Sequence, residues 1–116
     1  MFVDPESVAI YVRPGKTDMR KQINGLSIMV EQELELDPFS GALFVFCNAR
    51  RRLLKILYWD RTGFAMWQKR LERGLRFPWP QDRAEAQRIE ARQLRMLLAG
   101  IDFWRAHEEV RFSAVC

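Results

Sequence analysis

The sequence predicts an α+β domain: a small antiparallel sheet of three to four strands with two helices packed on one face. Three observations point there. The stretches "SVAIYVR", "ALFVFC" and "LLKILYWD" are rich in aliphatic, β-branched and aromatic residues and are bounded by turn formers. Two other stretches repeat apolar residues at helical spacing. The chain has 116 residues, enough for one domain with one modest core.

The elements follow in order. Ser7 to Arg13 reads as the first strand, and "PGKT" (Pro14 to Thr17) as a turn. Thr17 or Asp18 is placed to cap a helix. Met19, Ile23, Leu26, Val30 and Leu34 then share one helical face. Glu31, Glu33 and Glu35 come late in that helix, where the macrodipole disfavours them, so they are expected to face solvent or a basic neighbour. Pro38 and Gly41 break the helix. Ala42 to Cys47 and Leu53 to Asp60 read as a hairpin whose tip is "NARRR", and "DRTG" is a turn with Gly63 suited to positive φ. The next stretch is ambiguous. Phe64, Trp67 and Leu71 fit a helical face, whereas Phe64, Met66 and Gln68 alternate with Ala65, Trp67 and Lys69 as in a strand. Its place after a tight turn favours a third antiparallel strand. "FPWP" (Phe77 to Pro80) stops regular structure. Gln81 to Arg88 reads as a flexible connector or a helical turn started by Asp82. Leu94, Leu97, Leu98 and Ile101 mark a second helix, with Gly100 where a C′ glycine would end it. Residues 1–105 are expected to form the domain and 106–116 a mobile tail.

Composition narrows the classes of function. Nearly half the residues are apolar and 29% charged, the balance of a folded soluble protein. No run approaches the roughly 20 apolar residues of a membrane helix. The N-terminus lacks the basic and apolar regions of a secretory signal. Cys47 and Cys116 are expected to be reduced thiols in the cytoplasm. With a single histidine, His107, no Cys/His zinc pattern can be assembled. Net charge is +4, but it is unevenly spread: −3 over residues 1–47, +7 over 48–76, and zero beyond.

Catalytic patterns are weak. Asp18, Asp37, Asp60, Asp82 and Asp102 are scattered, and the first three have simpler roles at a helix start and at turns, so a metal nuclease site is not expected. His107 has no nucleophile-elbow motif beside it. "PGKT" lacks the rest of a P-loop. No cofactor or small-molecule substrate is expected.

The basic block is the best candidate site. Arg50, Arg51 and Arg52 at the hairpin tip suit phosphate oxygens, which guanidinium groups pair bidentately. Lys55, Lys69, Arg70, Arg73 and Arg76 extend this set, and Tyr58, Trp59 and Trp67 would stack on unpaired bases if exposed. The plainer alternative puts the aromatics in the core and the cations on a solvated face. It is favoured for Trp59 and Trp67 but not for the arginines, because a hairpin closes without three of them. In "TDMRK", Arg20 and Lys21 would lie in a helix's first turn against the dipole, so Asp18, Arg20 and Lys21 are candidates for contact with a partner. Gly25 inside the helix costs about 1 kcal/mol relative to alanine, which a close backbone contact there would explain.

These stretches in this order resemble the TnpB-type accessory protein, the second open reading frame product of the insertion sequence 66 transposon family. The matching pieces are "TDMRK" with "NGL", "DPFSGALFVFCNARRRLLKILYWDRTGF", "KRLERG", "FPWP" and "QLRMLLAGIDF", spanning about residues 8 to 103. The resemblance implies a bacterial mobile-element protein, not itself an enzyme, that supports a separate, larger transposase carrying the catalytic acids. The transposase and DNA are then the expected partners. Two readings stand: an accessory factor binding DNA through its basic hairpin, or a protein-interaction module that docks the transposase without touching DNA.

Overall fold

The computed structural model describes residues 3–81 and 86–104. A short 3-10 turn (Pro5–Ser7) leads into β1 (Ile10–Val12), α1 (Ile23–Gln32), β2 (Leu43–Cys47), β3 (Leu53–Asp60), β4 (Gly63–Arg70), β5 (Gln87–Ile89) and α2 (Ala91–Leu98). The five strands form one sheet in the order β4-β3-β2-β1-β5. β1 and β2 run parallel, while the other three pairings are antiparallel. A parallel pair requires a crossover, and α1 supplies it. The sheet is therefore mixed and five-stranded, where the sequence pattern predicts three to four antiparallel strands. The additional strand, β5, falls in the stretch read as a connector. The stretch after Gly63 is a strand and not a helix, paired with β3 from Asp60↔Gly63 to Leu53↔Arg70. Expectations for Asp82 and for the 106–116 tail concern residues outside those described.

β2 is buried at all five positions and so must be covered on both sides. Phe44 and Phe46 pack with Leu26, Met29 and Val30 of α1 and with Leu57. Leu43, Val45 and Cys47 alternate with those phenylalanines, and pack with Leu94 and Leu97 of α2 and with Ile56. Since side chains alternate across a strand, the helices lie on opposite faces and the expectation of a shared face is corrected. Burying Phe44 and Phe46 fully contributes roughly 2–3 kcal/mol each. Burial also pushes the Cys47 thiol up to about 12, so it stays protonated and inert near neutral pH.

α1 begins at Ile23, not at Thr17 or Asp18. The reason lies across the sheet. Lys55 is only 3% exposed, and its Nζ donates to the carbonyls of Met19 (2.9 Å) and Lys21 (3.1 Å). Those carbonyls are engaged by an ammonium instead of entering a helical ladder, and Gln22 precedes the helix without a side-chain cap. Arg20 and Lys21 thus lie before the first turn, not within it. A Cβ on Gly25 would come within 3.2 Å of the Lys21 Cβ, so its neighbour is a side chain and not the backbone that the sequence suggests. α2 starts with a reciprocal capping box between Glu90 and Gln93, and Gly100 follows its end at φ 79°.

Strand directions bring several connections to one end of the sheet. The chain leaves β1, β2 and β4 there, and enters β3 and β5 there. Long-range hydrogen bonds join these connections. Thr17 N donates to Cys47 O (2.8 Å), Leu71 N to Arg52 O (2.8 Å), Phe77 N to Arg51 O (2.7 Å) and Gly15 N to Pro80 O (2.9 Å). The buried Trp79 donates its Nε1 to both Arg13 O (3.1 Å) and Gly15 O (2.9 Å).

Candidate nucleic-acid interface

The joined end carries most of the candidate cations. The β2–β3 connection is shaped by Asn48, whose Oδ1 accepts from Arg52 N (2.9 Å) and Leu53 N (3.1 Å), with Arg51 N donating to Asn48 O (3.0 Å). This turn exposes Arg50 and leaves Arg51 and Arg52 half-buried. Arg70 closes β4 and pairs with Glu72 at 2.8 Å on an exposed surface, where such a pair contributes little. Arg73 and Arg76 follow on the exposed loop. Lys69 is half-buried, its Nζ donating to Leu98 O (2.9 Å) at the end of α2. Lys55 leaves the phosphate-facing set altogether: its ammonium is internal and already engaged.

Arg51 (φ 58°) and Arg73 (φ 56°) both adopt left-handed backbone, where a Cβ is unfavourable and glycine fits better. Arg61 does the same at the β3–β4 turn, at the sheet's other end. Arg51→Gly is accordingly expected to raise stability by about 1 kcal/mol, a midpoint rise of about 4 °C in a thermal melt, while weakening any DNA complex. A lower melting point would mean the guanidinium itself holds the turn.

The partner candidates lie on this same end. Arg20 forks onto Asp18, with Nε and Nη2 approaching the carboxylate at 3.1 and 2.7 Å. Hydrogen bonds from the Arg20 side chain and backbone hold that carboxyl at about 2, so it is ionised at any neutral pH. Asp18 and Lys21 line a cleft of about 440 Å³ together with Arg13, Lys16, Thr17 and Ala49, the neighbour of Arg50. Met29 and Glu33 complete its lining, so of the β2–β3 connection only Ala49, and none of the three arginines, reaches it. Arg13 and Lys16 are cations that the sequence pattern does not single out. Arg13 Nη1 donates to Lys16 O (2.7 Å) and Thr17 Oγ1 (3.2 Å).

The aromatics do not join this surface. Tyr58 is buried, and Trp67 packs half-buried against the α2-side core. Trp59 sits near the β3–β4 turn, edge-on to Phe39 (5.1 Å) and Phe64 (5.0 Å). Among the described residues no cluster of His, Cys, Asp or Glu is arranged to hold a metal, and no helix is long and apolar enough to cross a membrane.

A three-layer α+β protein with one cationic end is the class that fold and surface define. The chain belongs to the IS66 Orf2 like protein family, whose model matches residues 8–108. It is thus an accessory protein associated with an insertion sequence. Two proteins of Sinorhizobium fredii (strain NBRC 101917 / NGR234) are similar along nearly their whole length. "Uncharacterized protein y4hO" is 39% identical over 109 residues, covering 94% of this chain and 93% of the relative. "Uncharacterized protein y4jC" is 34% identical over 105 residues, covering 90% and 89%. No solved structure matches significantly.

Proposed function

We propose that this protein is a non-enzymatic accessory factor of transposition that binds DNA through the cationic end of its sheet and supports the transposase of its element in the bacterial cytoplasm. The observation that carries this reading is convergence: Arg50, Arg51 and Arg52 of the β2–β3 connection, Arg70 at the end of β4, and Arg73 and Arg76 of the loop after it meet where backbone hydrogen bonds hold the two connections together. Such a surface neutralises phosphates and releases counterions. By itself it grips backbone, not base edges, so it confers affinity with little sequence preference. Arg50→Ala combined with Arg51→Ala is expected to weaken duplex binding and flatten the plot of log affinity against log salt by about 1 to 2 units. An unchanged slope in a fluorescence anisotropy salt series removes these two residues from the phosphate contact.

A second reading is favoured by the Asp18–Arg20 fork, a fixed pattern of opposite charges suited to a protein surface. There the same end docks an acidic face of the transposase, and the double substitution lowers co-purification with the transposase while leaving any DNA affinity intact. Retained co-purification would count against it.

A further inference from the structure

The two edges of the sheet are treated differently. The β5 edge is three residues long, too short to template another strand. The β4 edge is eight residues long and, among the described residues, has no neighbour beyond β3. Exposed edges are usually blunted by proline, charge or a bulge. From Gly63 to Gln68, β4 has no proline and no charge, and its register with β3 is unbroken. Phe64, Ala65, Met66 and Trp67 are all half-buried. Phe39, 55% exposed, lies 5.3 Å from Phe64 and extends the apolar surface beside the edge.

The direction of the free backbone groups follows from pairing. Leu71 N donates to Arg52 O, so residues of odd number in β4 bond to β3, and Phe64, Met66, Gln68 and Arg70 turn their N–H and C=O groups outward.

We propose that β4 pairs with β4 of a second copy of this chain, antiparallel about a two-fold axis at Trp67, joining two sheets into one of ten strands. The register keeps the charges of the two strands apart. Its cations, Lys69 and Arg70, cluster at one end, and this pairing sets them opposite Ala65 and Phe64 of the other copy, while Met66 meets Gln68. No like charges oppose, and Arg70 gains an aromatic face. The antiparallel arrangement also sends the two cationic ends to opposite ends of the joined sheet, whereas a parallel one would bring them side by side. A two-fold interface of this kind closes on itself and leaves no growing fibre.

The test is sedimentation equilibrium of the full chain over a wide concentration range, with amide hydrogen exchange on the same samples. The expected result is a mass of two 13.8 kDa chains, with slow exchange at the Phe64, Met66 and Gln68 amides that is lost on dilution. Gln68→Pro removes an outward N–H at an exposed edge position and is expected to weaken association by more than about tenfold. Retained protection of the Ala65 and Trp67 amides, which bond to β3, verifies that the variant folds. Exchange in the unsubstituted chain tests the pairing independently of any variant. A chain that is monomeric at every concentration overturns the proposal. So does a dimer in which the Phe64 and Met66 amides exchange freely. Protection of those amides in a monomer overturns it too, by assigning the edge to another segment of the same chain.

Discussion

Lys55→Ala is expected to destabilise the protein by about 3 kcal/mol, lowering the thermal midpoint by about 12 °C. Lys55 lies on β3 facing the α1 side, and its ammonium bridges carbonyls 36 and 34 residues away in the chain. Truncation removes the buried methylenes, two charge-assisted hydrogen bonds, and the anchor that fixes residues 18–22. Lys55→Met separates the causes. It restores most of the packing, so a loss as large as that of alanine would assign the effect to the lost hydrogen bonds. A near-silent Lys55→Ala with a flattened salt slope in DNA binding would reverse the assignment and return Lys55 to the phosphate-facing set.

Trp79→Ala should cost more, about 4 kcal/mol, because an indole that is 6% exposed leaves a large cavity in the α2-side core. Its Nε1 also ties the Arg13–Gly15 turn to the loop following β4. Trp79→Phe keeps one ring of the indole and loses the donor together with the pyrrole half, for about 2 kcal/mol. Both are measured by urea unfolding. In the phenylalanine variant, faster exchange at the Gly15 amide, which bonds to Pro80 O, would report the loosened junction. Unchanged exchange there would mean that the backbone bond alone closes it.

Local elements are legible where the pattern is local. The β2–β3 hairpin and the strand after Gly63 follow from alternation over short spans, but the positive φ expected of Gly63 falls on Arg61 instead. The partnering of β1 is not legible. It sits between strands that come 33 and 77 residues later, and nothing in "SVAIYVR" names them. β5 shows only "QRI", too short to carry a period. Two signals are present in the sequence but easily passed over. "ALFVFC" is apolar on both alternating faces, which already demands a helix on each side. Lys55 shares a face with Leu57 inside an otherwise apolar strand, a pattern that fits an internal ammonium better than a surface one. A hairpin tip implies three exposed arginines, and one of the three is exposed.

The strand order has a consequence for how the chain assembles as it leaves the ribosome. β2, β3 and β4 form a meander of short separations and can pair as soon as they emerge. β1 precedes its partners, yet its place in the sheet is completed only when Gln87–Ile89 arrives, and its exit turn gains its bonds to Trp79 and Pro80 late as well. The contacts between "TDMRK" and the arginine hairpin, Thr17 N to Cys47 O and Lys55 Nζ to the Met19 and Lys21 carbonyls, lie within the first 55 residues and can form early. The loop that carries Arg73 and Arg76 is tied to the exit turn of β1 later, once Trp79 has emerged.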